Sequence, residues 1–233
     1  HAARLGFWAA ALTAALAALS FGLAVTTLPL SGPFCLVNCV AYPYTDVAAY
    51  VPHDYIWMVP AVVMIMAFLV FMVALQASAS SERRVYTQTA LAFAIISAAL
   101  LLTDYYIQIA VMQPSILQGE SEGVALLTQY NPHGVFIALE DLGYFLMGLS
   151  FVFTAANFAG RKGLERAIHW FLLIAGLAVV ATYFILYAIH GSHLEYRFEV
   201  AAITINWLAL CVGGILIAVW FRRALRTPQT LAR

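Results

Sequence analysis

Six long, predominantly apolar stretches constrain this chain more than any other feature. They run from about Leu5 to Leu28, Ile56 to Leu75, Tyr86 to Met112, Val135 to Phe158, Ile168 to Ile189 and Phe198 to Phe221. The hydrocarbon core of a bilayer is about 30 Å thick and takes roughly 20 helical residues to cross, so each stretch is long enough. The runs are rich in Ala and Leu and lack the period-two alternation of a membrane β-barrel. The expected fold is therefore all-α: a polytopic membrane protein, one integral membrane domain over residues 1–233, built as a six-transmembrane-helix bundle. The first stretch follows Arg4 as a signal peptide would, but it exceeds the usual 7–15-residue apolar region and has no clear cleavage site, so it reads as a retained helix.

Charge then sets orientation. Arg4, Arg83, Arg84, Arg161, Lys162, Arg166, Arg222, Arg223, Arg226 and Arg233 all flank spans on one side, and only Arg197 lies on the other. The positive-inside rule makes the first side cytoplasmic and places both termini there. With 9% charged residues, eleven basic and eleven acidic, the chain is a poor match for a water-soluble enzyme or a nucleic-acid binder, which needs a phosphate-tracking basic surface. An Ala/Leu-rich, loop-poor chain of this kind fits a bacterial inner (plasma) membrane.

The two long connections, Pro29–Tyr55 and Gln113–Gly134, lie on the outer side. Cys35 and Cys39 share the first, where an oxidising compartment favours a disulfide. In the second, Pro114 is expected to end the third helix. Val124–Tyr130 is expected to form a short interfacial helix, and Asn131-Pro132 to cap the fourth span. Tyr42, Tyr44, Tyr50, Tyr55 and Tyr130 are expected in the headgroup belt.

Ionisable groups inside spans cost roughly 2.5–3.5 kcal/mol each on insertion scales and so mark candidate functional positions. Asp104 and Gln108 share a face of the third span with Ser97. Glu140 lines up with Tyr144 and Met147, and further along with Ser150, Thr154 and Asn157, while Asp141 points about 100° away. Tyr183, Tyr187 and His190 share a face of the fifth span, and Glu199 and Asn206 a face of the sixth. These groups fall at similar depth in the outer half. Ser97, Thr154 and Asn206 also suit interhelical hydrogen bonding. Three buried carboxyls without a Lys or Arg at their depth do not; they call for a proton, water or a cation.

Two functions of different class follow. The first is a binding or transport protein with an outward-facing pocket between the third to sixth helices for a small solute, cation or proton, lined by Asp104, Gln108, Glu140, Tyr144, Tyr183, Tyr187, His190, Glu199 and Asn206, with the first outer loop as its cover. The second is an intramembrane metal-dependent enzyme, hydrolase-like, acting on a lipid or apolar substrate at the outer leaflet. Its zinc or other divalent cation would sit on His190, His193 and Glu195, with His53, Asp54 and His133 on the same side. The expected partners are the lipid bilayer and a small-molecule or lipid ligand, with an oligomer or partner subunit possible. The Ala11/Ala15 and Ala14/Ala18 spacing of the first span suits close helix packing.

Overall fold

A computed structural model describes residues 1–27 and 29–226. Leu28, the expected end of the first span, and Arg233, one of the orienting charges, lie outside the described residues. The helices are α1 Ala2–Ala24, α2 Met58–Ala77, α3 Arg84–Ile107, α4 Gln113–Leu117, α5 Val124–Leu127, α6 Val135–Ala156, α7 Leu164–His190 and α8 Tyr196–Arg226. Among the described residues there is no strand. Six helical segments are long and apolar enough to cross a membrane, and large apolar side chains such as Trp8, Leu19, Phe184 and Ile185 point away from the bundle.

Neighbouring helices close a ring, α1–α2–α3–α6–α7–α8 and back to α1, with α6 also touching α8 across it. Small residues permit the close approaches. A Cβ on Gly176 of α7 would overlap the carbonyl oxygen of Gly148 on α6, and one on Gly143 of α6 would meet Leu101 of α3. Ser97 Oγ donates to the Gly143 carbonyl at 2.7 Å, which adds a polar tie to the same α3–α6 seam. The two long connections gather at one end of the bundle, here the loop end; Arg83, Arg161 and Arg222 mark the opposite, arginine end.

Several boundaries differ from expectation. α1 stops at Ala24, where the Thr26 and Thr27 hydroxyls donate to the carbonyls of Leu23 and Ala24 and so compete with further helical bonding. Pro114 does not end the third helix. A π-helical turn at Gln108–Met112 precedes it, and Pro114 opens α4, so the helical path runs on to Leu117. The wider turn removes the clash that proline's ring would make with an α-helical carbonyl one turn back. Only Val124–Leu127 of the expected interfacial segment is helical. The fourth span begins at Val135 with Gly134 as its cap, because Asn131 turns its side chain to the His133 amide and the Ala125 carbonyl instead. Gly191, at φ 61°, ends α7.

At the arginine end, Arg83 donates to the carbonyls of Ala156, Asn157 and Ala159 at 2.9, 2.8 and 2.7 Å. A cation satisfying unpaired carbonyls at a helix C-terminus is favoured by both hydrogen bonding and the helix dipole. Arg83→Ala is expected to lower stability by about 2 kcal/mol, read by chemical or thermal unfolding in detergent. Lys at this position should recover less than half, since an ammonium cannot reproduce the planar fork.

Candidate functional site

Three helices bring four carboxyls together near the loop end: Asp104 on α3, Glu140 and Asp141 on α6, and Glu199 on α8. Asp104 and Asp141 lie within electrostatic range of Glu140, and Glu199 within range of both. Glu140 is fully buried and Asp104 is 1% exposed. The salt bridges among the described residues are His53–Asp54, Arg161–Glu165 and Arg197–Glu195, and none reaches this cluster.

The hydrogen bonds around Glu140 have a fixed direction. Trp207 Nε1 lies 2.8 Å from the Tyr144 hydroxyl, which lies 2.6 Å from the Tyr105 hydroxyl, which donates to Glu140 Oε1 at 2.6 Å. An indole N–H can only donate. Tyr105 spends its single proton on Glu140, so the contact between the two hydroxyls is a donation from Tyr144, which itself accepts from the indole. This chain fills Oε1 and leaves Oε2 without a donor from a neutral group; Glu199 Oε2, Asp104 Oδ2 and Asp141 Oδ1 are in the same position. The Glu140 and Glu199 carboxyls are neighbours, near enough for one proton to bridge them. One proton held between them would supply the missing donor.

Glu199 also lines a cavity of about 270 Å³ at the loop end. Phe21 of α1, Val25 just after it, Trp57 before α2, Phe136 of α6, and Tyr196 and Trp207 of α8 form much of its wall, which Pro29, Leu30 and Phe34 of the first connection complete. Trp57 and Trp207 are 5.8 Å apart between ring centroids, and Trp57 stands edge-on to Tyr105 at 5.2 Å. Asp54 is part of the wall but is engaged by the Tyr130 hydroxyl and His53 Nδ1, both at 3.0 Å. Burial pushes the Tyr130 phenol above the ordinary tyrosine range, with Tyr55 and Asp54 adding to the shift, so it remains a donor. Ser31 ties the covering loop down, donating to the Tyr130 carbonyl and meeting the Tyr196 hydroxyl at 2.6 Å. Cys35 and Cys39 form a disulfide within that loop.

The placement of the expected residues is mixed. Asp104, Glu140, Tyr144 and Glu199 converge. Asn206 sits beside them, donating to the Tyr144 carbonyl at 3.2 Å and the Ala202 carbonyl at 2.8 Å. Gln108 does not join: its amide donates to Leu127 O at 2.6 Å and accepts from the Gln129 amide, which pins the second connection. Nor does α7 contribute a polar face. Tyr183 packs its ring on Phe145 and Phe198, Tyr187 is 52% exposed, and His190 lies at the helix end. The cavity, expected between the third to sixth spans, instead opens between the loop ends of the first and sixth.

The expected metal ligands separate as well. Glu195 pairs with Arg197 at 2.8 Å, and the His193 ring meets that of His133 at 6.3 Å. Among the described residues no group of three or more His, Cys, Asp or Glu is arranged to hold a metal ion, so His190, His193 and Glu195 do not form a ligand set. Of the tyrosines in the two long connections, Tyr55 and Tyr130 are buried in the protein at 1% and 5% exposure, while Tyr42 is exposed.

Sequence reasoning missed Tyr105, Trp57 and Trp207. A signal for Tyr105 existed: Ala90, Ala94, Ala98, Leu101 and Tyr105 make one buried face of α3, and the tyrosine ends that small-residue stripe. Comparison with protein-family models, curated proteins and solved structures finds no match to this chain.

Proposed function

We propose that this is an integral membrane binding or transport protein whose loop-end cavity takes a small cationic solute against Glu199. The arginine end, by the positive-inside rule, faces the cytoplasm and the cavity faces outward; the loop disulfide suits an oxidising outer compartment. The observation that carries the reading is the double position of Glu199, which lines the cavity and contacts buried Glu140. Trp57, Trp207 and Tyr196 beside a carboxylate make the surroundings that attract an organic cation, through ring quadrupoles and direct charge. When a cation settles there, the proton between Glu199 and Glu140 becomes the group it displaces. The titratable groups facing that pair are Asp104 and Tyr105 from α3, Asp141 and Tyr144 from α6, Tyr196 from α8, and Asp54 at the cavity wall.

Tryptophan emission tests this directly, since Trp57 and Trp207 line the cavity. Tetramethylammonium added to the protein in nanodiscs is expected to change the emission saturably. Glu199→Gln should weaken that binding by about 30-fold, the value of a charge interaction of roughly 2 kcal/mol. An emission unchanged by tetramethylammonium at every pH would refute the reading.

A further inference from the structure

The cavity is one of two openings between α1 and α8. Further along the same α1–α8 seam lies a groove of about 400 Å³ bounded by Ala11, Ala15, Ala18, Cys211 and Ile215, with Arg222 at the arginine end. On α1, Ala11, Ala15, Ala18 and Gly22 fall within one narrow helical face, with Val25 just past its end, and on α8 Val200, Thr204, Cys211, Ile215 and Arg222 do the same. Both openings therefore look out on the same side of the bundle. Between them, Ala18 and Gly22 are exposed, and the space a Cβ would take on Gly22 is vacant.

From this alignment, and the small exposed residues between the two openings, we infer that the ligand is a long-chain amphiphile with a cationic head, its head in the cavity at Glu199 and its alkyl chain along the α1–α8 seam. The inference rests on the proposed function for the head and adds the tail. At this depth the surroundings are hydrocarbon, water is excluded, and an unfilled groove forfeits dispersion contacts. Val25 and Val200, apolar residues of the cavity wall, are exposed on the outside of the bundle, so the ligand reaches the site from the bilayer. A helix of a second copy would cover the small residues but place nothing at Glu199.

Hexadecyltrimethylammonium carrying a diazirine on its terminal carbon is the probe, photolysed with the protein in nanodiscs and located by peptide mass spectrometry. Cys211 lies twelve residues from Glu199, about 18 Å along the helix, within reach of such a chain. Adducts are expected in Ala11–Ala18 and Cys211–Val219. Excess unlabelled hexadecyltrimethylammonium and, separately, Ala15→Phe, which fills the groove at an exposed position, should each reduce them at least fivefold. Adducts confined to the cavity wall, with tetramethylammonium still binding, would overturn the tail assignment alone. Adducts spread over all lipid-facing helices and uncompeted would overturn it too, and tetramethylammonium binding would then report separately on the head site. A protein that crosslinks to itself through α1 would replace the lipid chain with a second copy.

Discussion

Gly176→Val is expected to abolish the α6–α7 contact and cost at least about 3 kcal/mol, at the upper end of overpacking penalties. The position leaves no alternative. A Cβ there overlaps the Gly148 carbonyl oxygen and crowds Val152, a backbone atom and a β-branched side chain that cannot swing away. Relief requires the two helices to separate, and with them the Gly148–Val179 contact on the same seam. Gly22→Ala serves as the control. Nothing lies within 4 Å of its Cβ position, so stability should stay level or rise by up to about 1 kcal/mol from helix propensity. Unfolding by a denaturing detergent, followed by circular dichroism, reads both variants. Equal stabilities would mean that α6 and α7 do not meet through these glycines.

Glu140→Gln is expected to remove the pH dependence of cation binding. In the native chain a cation and the proton shared by Glu140 and Glu199 compete, so binding releases a proton. Affinity then rises with pH by about tenfold per unit, or about 100-fold over two units, wherever the shared proton is the species displaced. The sign is fixed: lowering the pH supplies the competitor and weakens binding. In the variant the Gln amide donates permanently to Glu199, while its oxygen still accepts from Tyr105. The donor survives and the titration does not. Tetramethylammonium affinity should become flat with pH. Asp104→Asn, which leaves the Glu140–Glu199 contact intact, should retain the slope.

The spans were legible because bilayer thickness imposes one length on all of them, and the carboxyls because each is anomalous in its own segment. Asp104, Glu140 and Glu199 stand out by cost alone. Which face of an apolar helix meets lipid was not legible. Tyr183, Tyr187 and His190 share a face as expected, but α7 turns most of its surface outward, and Tyr187 ends exposed. When both sides of a helix are apolar, polar spacing shows which residues align, not where the aligned face points. Asp104 and Tyr105 show the reverse limit. Adjacent residues diverge by about 100°, yet the length of the tyrosine carries its hydroxyl to Glu140. The cavity was misplaced because it depends on α1 lying against α8, a pairing between the two ends of the chain that no local pattern encodes. The π turn before Pro114 escaped for a related reason, since proline read alone is a stop and only a widened turn lets the helix pass.

The account's central claim is that the cavity carboxyl Glu199 and the buried carboxyl Glu140 hold one proton that a bound cation displaces. Proton release measured with a pH indicator in weakly buffered solution, as tetramethylammonium is titrated into the purified protein, tests it most directly. The account predicts about one proton released per cation bound in the native chain, and none in Glu140→Gln at cation concentrations that saturate its tryptophan response. Saturable binding to the native chain with no proton released, or the same release from Glu140→Gln, would contradict it.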